Sequence, residues 1–188
     1  MRVLVRILHV IVALVLLTGV VLWFGARRGD RGFIEEEITI ARPAPAVFRW
    51  ISSENLLRRW ISNLLEVRKV EGGSPESGPT FRVAQLVSGH RVDMSVRIVR
   101  VVPNQELGLL ISSGASASEG FSTASDFKLI AGDDYTRLVF SSHTQFVSLS
   151  DRIFEPVLTI AMQRKVHDDL AKLKILMEAE SEKSASPR

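Results

Sequence analysis

The chain of 188 residues contains no cysteine. Disulfides, thiolate metal sites and a cysteine nucleophile are therefore excluded, although the absence alone assigns no redox compartment. Its four histidines, His9, His90, His143 and His167, do not fall at the spacing of a metal-binding helical pair. No glycine-rich phosphate loop opens a helix, and Gly72-Gly73 reads as an ordinary loop. A large excess of one charge is missing as well. The formal net charge is +3, and the first 32 residues hold five arginines (Arg2, Arg6, Arg27, Arg28, Arg31) against Asp30 alone. The remainder is thus close to neutral, which disfavours a nucleic-acid partner held through the phosphate backbone. No cofactor or metal is expected.

What is present begins with an uncharged run, Ile7 to Gly25 (ILHVIVALVLLTGVVLWFG). At ~1.5 Å per residue it extends roughly 28 Å as a helix, close to the ~30 Å hydrocarbon core of a bilayer. A cleaved signal peptide would end in small residues, whereas this run ends in Trp23 and Phe24, followed by Arg27 and Arg28. Aromatic residues followed by basic ones suit the interface of a retained span. Residues 1–25 are therefore expected to be a transmembrane anchor, 26–32 a short linker, and the protein single-pass in a bacterial cytoplasmic membrane. Basic residues flank the run on both sides, so their count assigns the soluble domain to neither face.

Apolar and polar residues alternate from Phe33 to Ile40, which predicts a half-buried strand, with Glu36 the exception on its apolar face. Pro43 and Pro45 introduce a short helix from about Ala44 to Ser52, and Ser53 can cap a second running to about Asn63. After Pro79 the period becomes two. A turn at Gly89-His90 would pair Val87 with Val92 and Phe81 with Ile98. Glu106 to Ser113 is a further strand and Gly114 to Gly120 a small-residue loop. A loop over Ala131 to Asp134 would set Phe127 opposite Leu138, Ser125 opposite Phe140 and Thr123 opposite Ser142. From Ser150 to about Glu180 a helical stripe of Phe154, Val157, Leu158, Ala161, Met162, Leu170, Leu173 and Met177 emerges, with Pro156 in the first turns. Residues 181–188 read as a disordered tail.

Five segments, in this order and spacing, carry a family resemblance: ITIARPAPAVFRWISSENLLRRW (Ile38 to Trp60), GPTFRV (Gly78 to Val83), IVRVVPNQEL (Ile98 to Leu107), DFKLIAGDDYTRL (Asp126 to Leu138) and DLAKLKILME (Asp169 to Glu178). Over residues 33–180 the chain resembles the START-like, or SRPBCC, superfamily. That superfamily includes polyketide cyclase/dehydrase and lipid-transport proteins and the birch-pollen-allergen type of helix-grip domain. The resemblance implies an α+β helix-grip domain: a curved antiparallel sheet of about seven strands around a long C-terminal helix, with two short helices after the first strand. Val47, Phe48 and Ile51 look like packing positions of the first short helix, and Trp60 like the tryptophan closing the second against the sheet. The tetrapeptide RWIS occurs at Arg49 and again at Arg59, but the identity does not extend beyond it, so no internal repeat is supported.

No catalytic constellation stands out. His167-Asp168-Asp169 point different ways on a helix, and Asp133-Asp134 suit a hairpin loop. The expected ligand cavity between sheet and helix is lined by Val83, Gln85, Met94, Val96, Phe121, Thr123, Ser125, Phe127, Phe140, Ser142, Val157, Ala161 and Met162. Trp50, Arg58 and Arg59 are expected at its mouth. Apolar lining with a few hydrogen-bonding groups suits a hydrophobic small molecule. The leading expectation is thus a non-catalytic domain that binds a lipid, isoprenoid or polyketide-like ligand beside the bilayer, its other partner. The alternatives are a cyclase- or dehydratase-type enzyme, which rests on the resemblance, and a protein-interaction module with a filled core.

Overall fold

The computed structural model describes residues 32–70, 78–87, 89–113, 120–147 and 149–185, with side chains in the last stretch from Glu155 to Glu180. The expected anchor, the linker up to Arg31, the Gly72-Gly73 loop, residues 114–119 of the small-residue loop and the last three residues lie outside the described residues. Among the described residues no helix is long and apolar enough to cross a membrane.

The elements are β1 (Phe33–Ile40), α1 (Ala44–Ser52), α2 (Glu54–Trp60), β2 (Leu64–Lys69), β3 (Thr80–Val87), β4 (His90–Val102), β5 (Glu106–Ser113), β6 (Phe121–Ala131), β7 (Thr136–Phe146) and α3 (Leu149–Ala185). The seven strands form one antiparallel sheet in the order β1-β7-β6-β5-β4-β3-β2. With two short helices after β1 and a long C-terminal helix packed on the sheet, this is the helix-grip arrangement.

Local chemistry explains the helix boundaries. Pro43 occupies the N-cap of α1 and Pro45 its first turn, where a missing N–H costs nothing. Ala44, Val47 and Ile51, at helical spacing, bury one face together with Trp50. Ser53 turns extended between α1 and α2, without a side-chain cap bond. The second helix stops at Trp60 rather than near Asn63, because Asn63 takes the left-handed conformation (φ 61°) that reverses the chain into β2. Strand β2 escapes sequence alternation because a register irregularity separates Leu64 from Glu66.

Both hairpins differ from expectation by two residues. Val87 pairs with His90, so Phe81 meets Val96. Ala131 pairs with Thr136, which sets Phe127 opposite Phe140, Ser125 opposite Ser142 and Thr123 opposite Thr144. Since the side-chain period of a strand is two, a two-residue slip leaves every residue on its expected face.

The core gathers at the end of the sheet closed by α1 and α2. Val47, Trp50, Ile51 and Trp60 pack there with Leu129, Leu138, Leu173 and Met177. The Trp60 Nε1–H donates to the Trp50 carbonyl at 3.2 Å, tying α2 to α1. Helix α3 begins at Leu149 and continues to Ala185, beyond the expected end near Glu180, and Pro156 lies in its interior.

Candidate ligand trough

Helix α3 packs chiefly along β1, with lesser contact to β7 and α2. Its inward stripe runs through Glu155, Leu158, Met162, Val166, Asp169, Leu170, Leu173 and Met177, all buried or half-buried. Residues Val157 and Ala161, expected to face the cavity, do not. Val157 is 66% exposed and sits two residues from buried Glu155, about 200° around the helix at ~100° per residue. Ala161 is exposed too. Met162 keeps its expected inward position.

Because the helix lies over one side of the sheet, the two halves of the inner face differ. Beneath α3, Ile34, Leu138, Phe140 and Phe127 are buried. Farther across, Val83 on β3, Met94, Val96 and Ile98 on β4, and Leu109 and Ile111 on β5 are only half-buried. Each is apolar, and the pairings Val83–Met94, Val96–Ile111 and Ile98–Leu109 place them on one surface. The result is a partly exposed apolar wall outside the main seat of the helix, with Ile98 and Leu109 packed against the edge of the core, and it is the candidate surface for a ligand.

A band of hydroxyls borders this wall. Along the inner face of β6 and β7 the opposed pairs are Phe121–Phe146, Thr123–Thr144, Ser125–Ser142, Phe127–Phe140 and Leu129–Leu138. Thr123 and Thr144 are buried and share a hydrogen bond of 2.9 Å between their Oγ1 atoms. Buried Ser125 and Ser142 form the next rung. Thr123 is the neighbour of Ile111 and Ser125 of Leu109, so the hydroxyls lie directly beside the apolar wall. Aromatic pairs stand on either side: Phe121 and Phe146 edge to face at 6.5 Å, Phe127 and Phe140 at 4.9 Å.

Other expected positions have different work. Phe127 and Phe140 belong to the packed core. The Gln85 amide donates to the Ser62 carbonyl at 3.0 Å and fixes the link between α2 and β2. Trp50, 2% exposed, is core rather than mouth, because α2 and the Arg59 guanidinium, 4.7 Å from its ring centroid, cover it. Arg59 is held in turn by Glu180 of α3 at 2.6 Å, and Arg58 reaches the Val67 carbonyl at 3.5 Å. The two arginines brace α2 against its neighbours instead of flanking an opening.

One polar contact was foreshadowed only by the interruption of the β1 apolar face. Glu36 accepts a hydrogen bond from Gln163 Nε2 at 3.3 Å, and its other oxygen lies 3.2 Å from His167 Nδ1. These residues, with Ile160, Arg164 and Asp168, line a cleft of about 390 Å³ at the β1–α3 edge. These two contacts tether strand β1 to helix α3. Among the described residues, no group of three or more His, Cys, Asp or Glu side chains could hold a metal ion.

A family model described as polyketide cyclase / dehydrase and lipid transport matches residues 33–178. No curated protein matches the chain. Among solved structures, the Zhui aromatase/cyclase from a Streptomyces species is 16% identical, with a TM-score of 0.66, covering 82% of this chain and 98% of its own. A conserved protein from Geobacillus kaustophilus is 12% identical with a TM-score of 0.64, covering 78% of this chain and 95% of its own. The di-domain ARO/CYC protein BexL is 16% identical with a TM-score of 0.62, and the match takes 78% of this chain and 46% of BexL. At such identities the likeness is one of fold.

Proposed function

The chain belongs to the polyketide cyclase/dehydrase and lipid transport family, and from that premise we propose that it binds a hydrophobic small molecule without covalent chemistry. The ligand is a lipid, isoprenoid or polyketide-like compound held in the trough beside α3, while residues 7–25 anchor the protein in a bilayer. The observation that carries this reading is the half-exposed apolar wall of Val96, Ile98, Leu109 and Ile111. Fully burying such a side chain yields ~1.5–3 kcal/mol, so covering the smaller part still exposed on each of several adds a modest drive per residue that sums along the wall. The bordering Thr and Ser hydroxyls offer hydrogen bonds to a polar end of that ligand.

A cyclase or dehydratase needs an acid or base within reach of its substrate. The described side chains of β4–β7 that border the wall are apolar or hydroxyl-bearing, a lining suited to holding an apolar ligand with a polar end. The short link between residue 25 and β1 supports loading directly from the bilayer. Photo-crosslinking of the full chain in vesicles with a photoactivatable fatty acid tests the site. Labelling should concentrate on Met94, Ile111 or Met162; labelling spread over the outer face of the sheet would refute it. Retention of the full chain in the membrane pellet after alkaline extraction tests the anchor.

A further inference from the structure

The outer face of the sheet carries an arrangement that ligand binding on the inner face does not use. Arg68 of β2 lies directly opposite Arg82 of β3. Arg82 opposes Ser95 of β4, with Arg97 on the diagonal. Like charges directly opposite across a strand pair are destabilising unless something compensates.

The nearby carboxylates are already engaged by other arginines. Glu66 takes Arg68 at 2.6 Å and Arg91 at 3.3 Å, and Asp93 takes Arg91 at 2.9 Å. Among the described residues Arg82 makes no direct ion pair, its charge acting on Asp93 only across a longer distance than the Arg91 contact. Glu66, Arg68, Arg82, Arg91 and Asp93 surround a cleft of about 290 Å³ over Ala84, which is only 2% exposed. A small floor ringed by three guanidiniums and two carboxylates leaves one positive charge in excess and room for a group above the methyl.

We infer that this cleft is a binding site for a phosphate-type dianion. Arg82 and Arg68 present guanidinium forks to it, and Arg91 is the third donor, oriented by Asp93 and Glu66. Guanidinium groups match the oxygens of phosphate in paired hydrogen bonds, so a dianion here relieves the repulsion between Arg68 and Arg82. The phosphate belongs either to a lipid headgroup or to a free species. The inference is independent of the trough, which lies on the opposite face.

The test is calorimetric titration of the full chain in uncharged detergent, first with inorganic phosphate and then with micelles doped with phosphatidic acid. Saturable binding in the first arm identifies a free phosphate ligand, and in the second alone a headgroup. Either should weaken at least tenfold in Arg82→Gln and in Ala84→Leu, whose larger side chain fills the floor. Binding should also weaken as salt is raised, as expected for an exposed site. The control Arg137→Gln, on β7 beside Glu37, should leave it unchanged. No saturable binding in either arm, binding retained in both test variants, or an equal loss in the control would overturn the inference.

Discussion

At the scale of single residues, Trp60 shows how one side chain joins elements. Its ring is buried and its N–H donates to the Trp50 carbonyl at 3.2 Å. Trp60→Phe keeps most of the apolar volume but leaves that buried carbonyl without its indole donor, so a loss of ~1–3 kcal/mol is expected in denaturant unfolding. Gly32 has φ +69°, and a Cβ there would stand 2.2 Å from the Thr144 carbonyl oxygen. Gly32→Ala is therefore expected to lower stability by ~1–3 kcal/mol, measured in the same way. Asp93 gives a signed dependence on pH. Its carboxyl is held below the usual carboxylate range, first by the hydrogen bond from Arg91. A depressed folded-state pKa contributes stability that is present above the unfolded value, near pH 4, and is lost as pH falls through the folded one. The melting temperature of Asp93→Asn should consequently fall less steeply than that of the parent on acidification below about pH 4. Because the pair is exposed, the difference should be small and should shrink in high salt. Trp60 was legible in the sequence as a fold residue; the partners of Glu36 were not. A carboxylate on an apolar strand face announces that something must meet it, but Gln163 and His167 lie on an element whose register only folding sets.

Elements separate what periodicity can and cannot supply. The helical stripe of α3 was legible at Leu158, Met162, Leu170, Leu173 and Met177, all inward in the fold. It failed at Val157 and Ala161 because an apolar residue beside the stripe widens it on paper, whereas the true face is completed by polar residues. Glu155 and Asp169 are buried, and Asp169 accepts the Ser62 backbone N–H at 2.9 Å while pairing with Lys165. A buried carboxylate satisfied from a distant loop leaves no mark in local hydropathy. Two substitutions separate the faces of the helix. Leu173→Ala, at a fully buried site, should cost ~2–5 kcal/mol. Val157→Lys should stay within ~0.5 kcal/mol, as is usual for an exposed position. In the strands, alternation assigned the faces correctly while the turns were misplaced by two residues. Turn residues such as Gly89 fix the neighbourhood of a reversal, but cross-strand packing fixes its register.

For the whole molecule, the placement of α3 over β1 rather than over the middle of the sheet is what leaves an apolar wall available. This could not be read from the sequence, because strand alternation distinguishes inside from outside but not covered from open. The family description includes lipid transport, and the wall of β4 and β5 with its hydroxyl border is the place proposed for a ligand here. On the proposed reading, an anchor in residues 7–25 and this wall together make a protein that takes an apolar ligand at a membrane surface. The most direct measurement is native mass spectrometry of the full chain, purified from membranes and released from detergent, beside the variant Val96→Trp, which projects bulk into the trough. The expected result is a single bound hydrophobic species at one per chain, lost in Val96→Trp while thermal unfolding remains cooperative. A parent chain that is released empty, or a variant that carries the same species at the same occupancy, would contradict it.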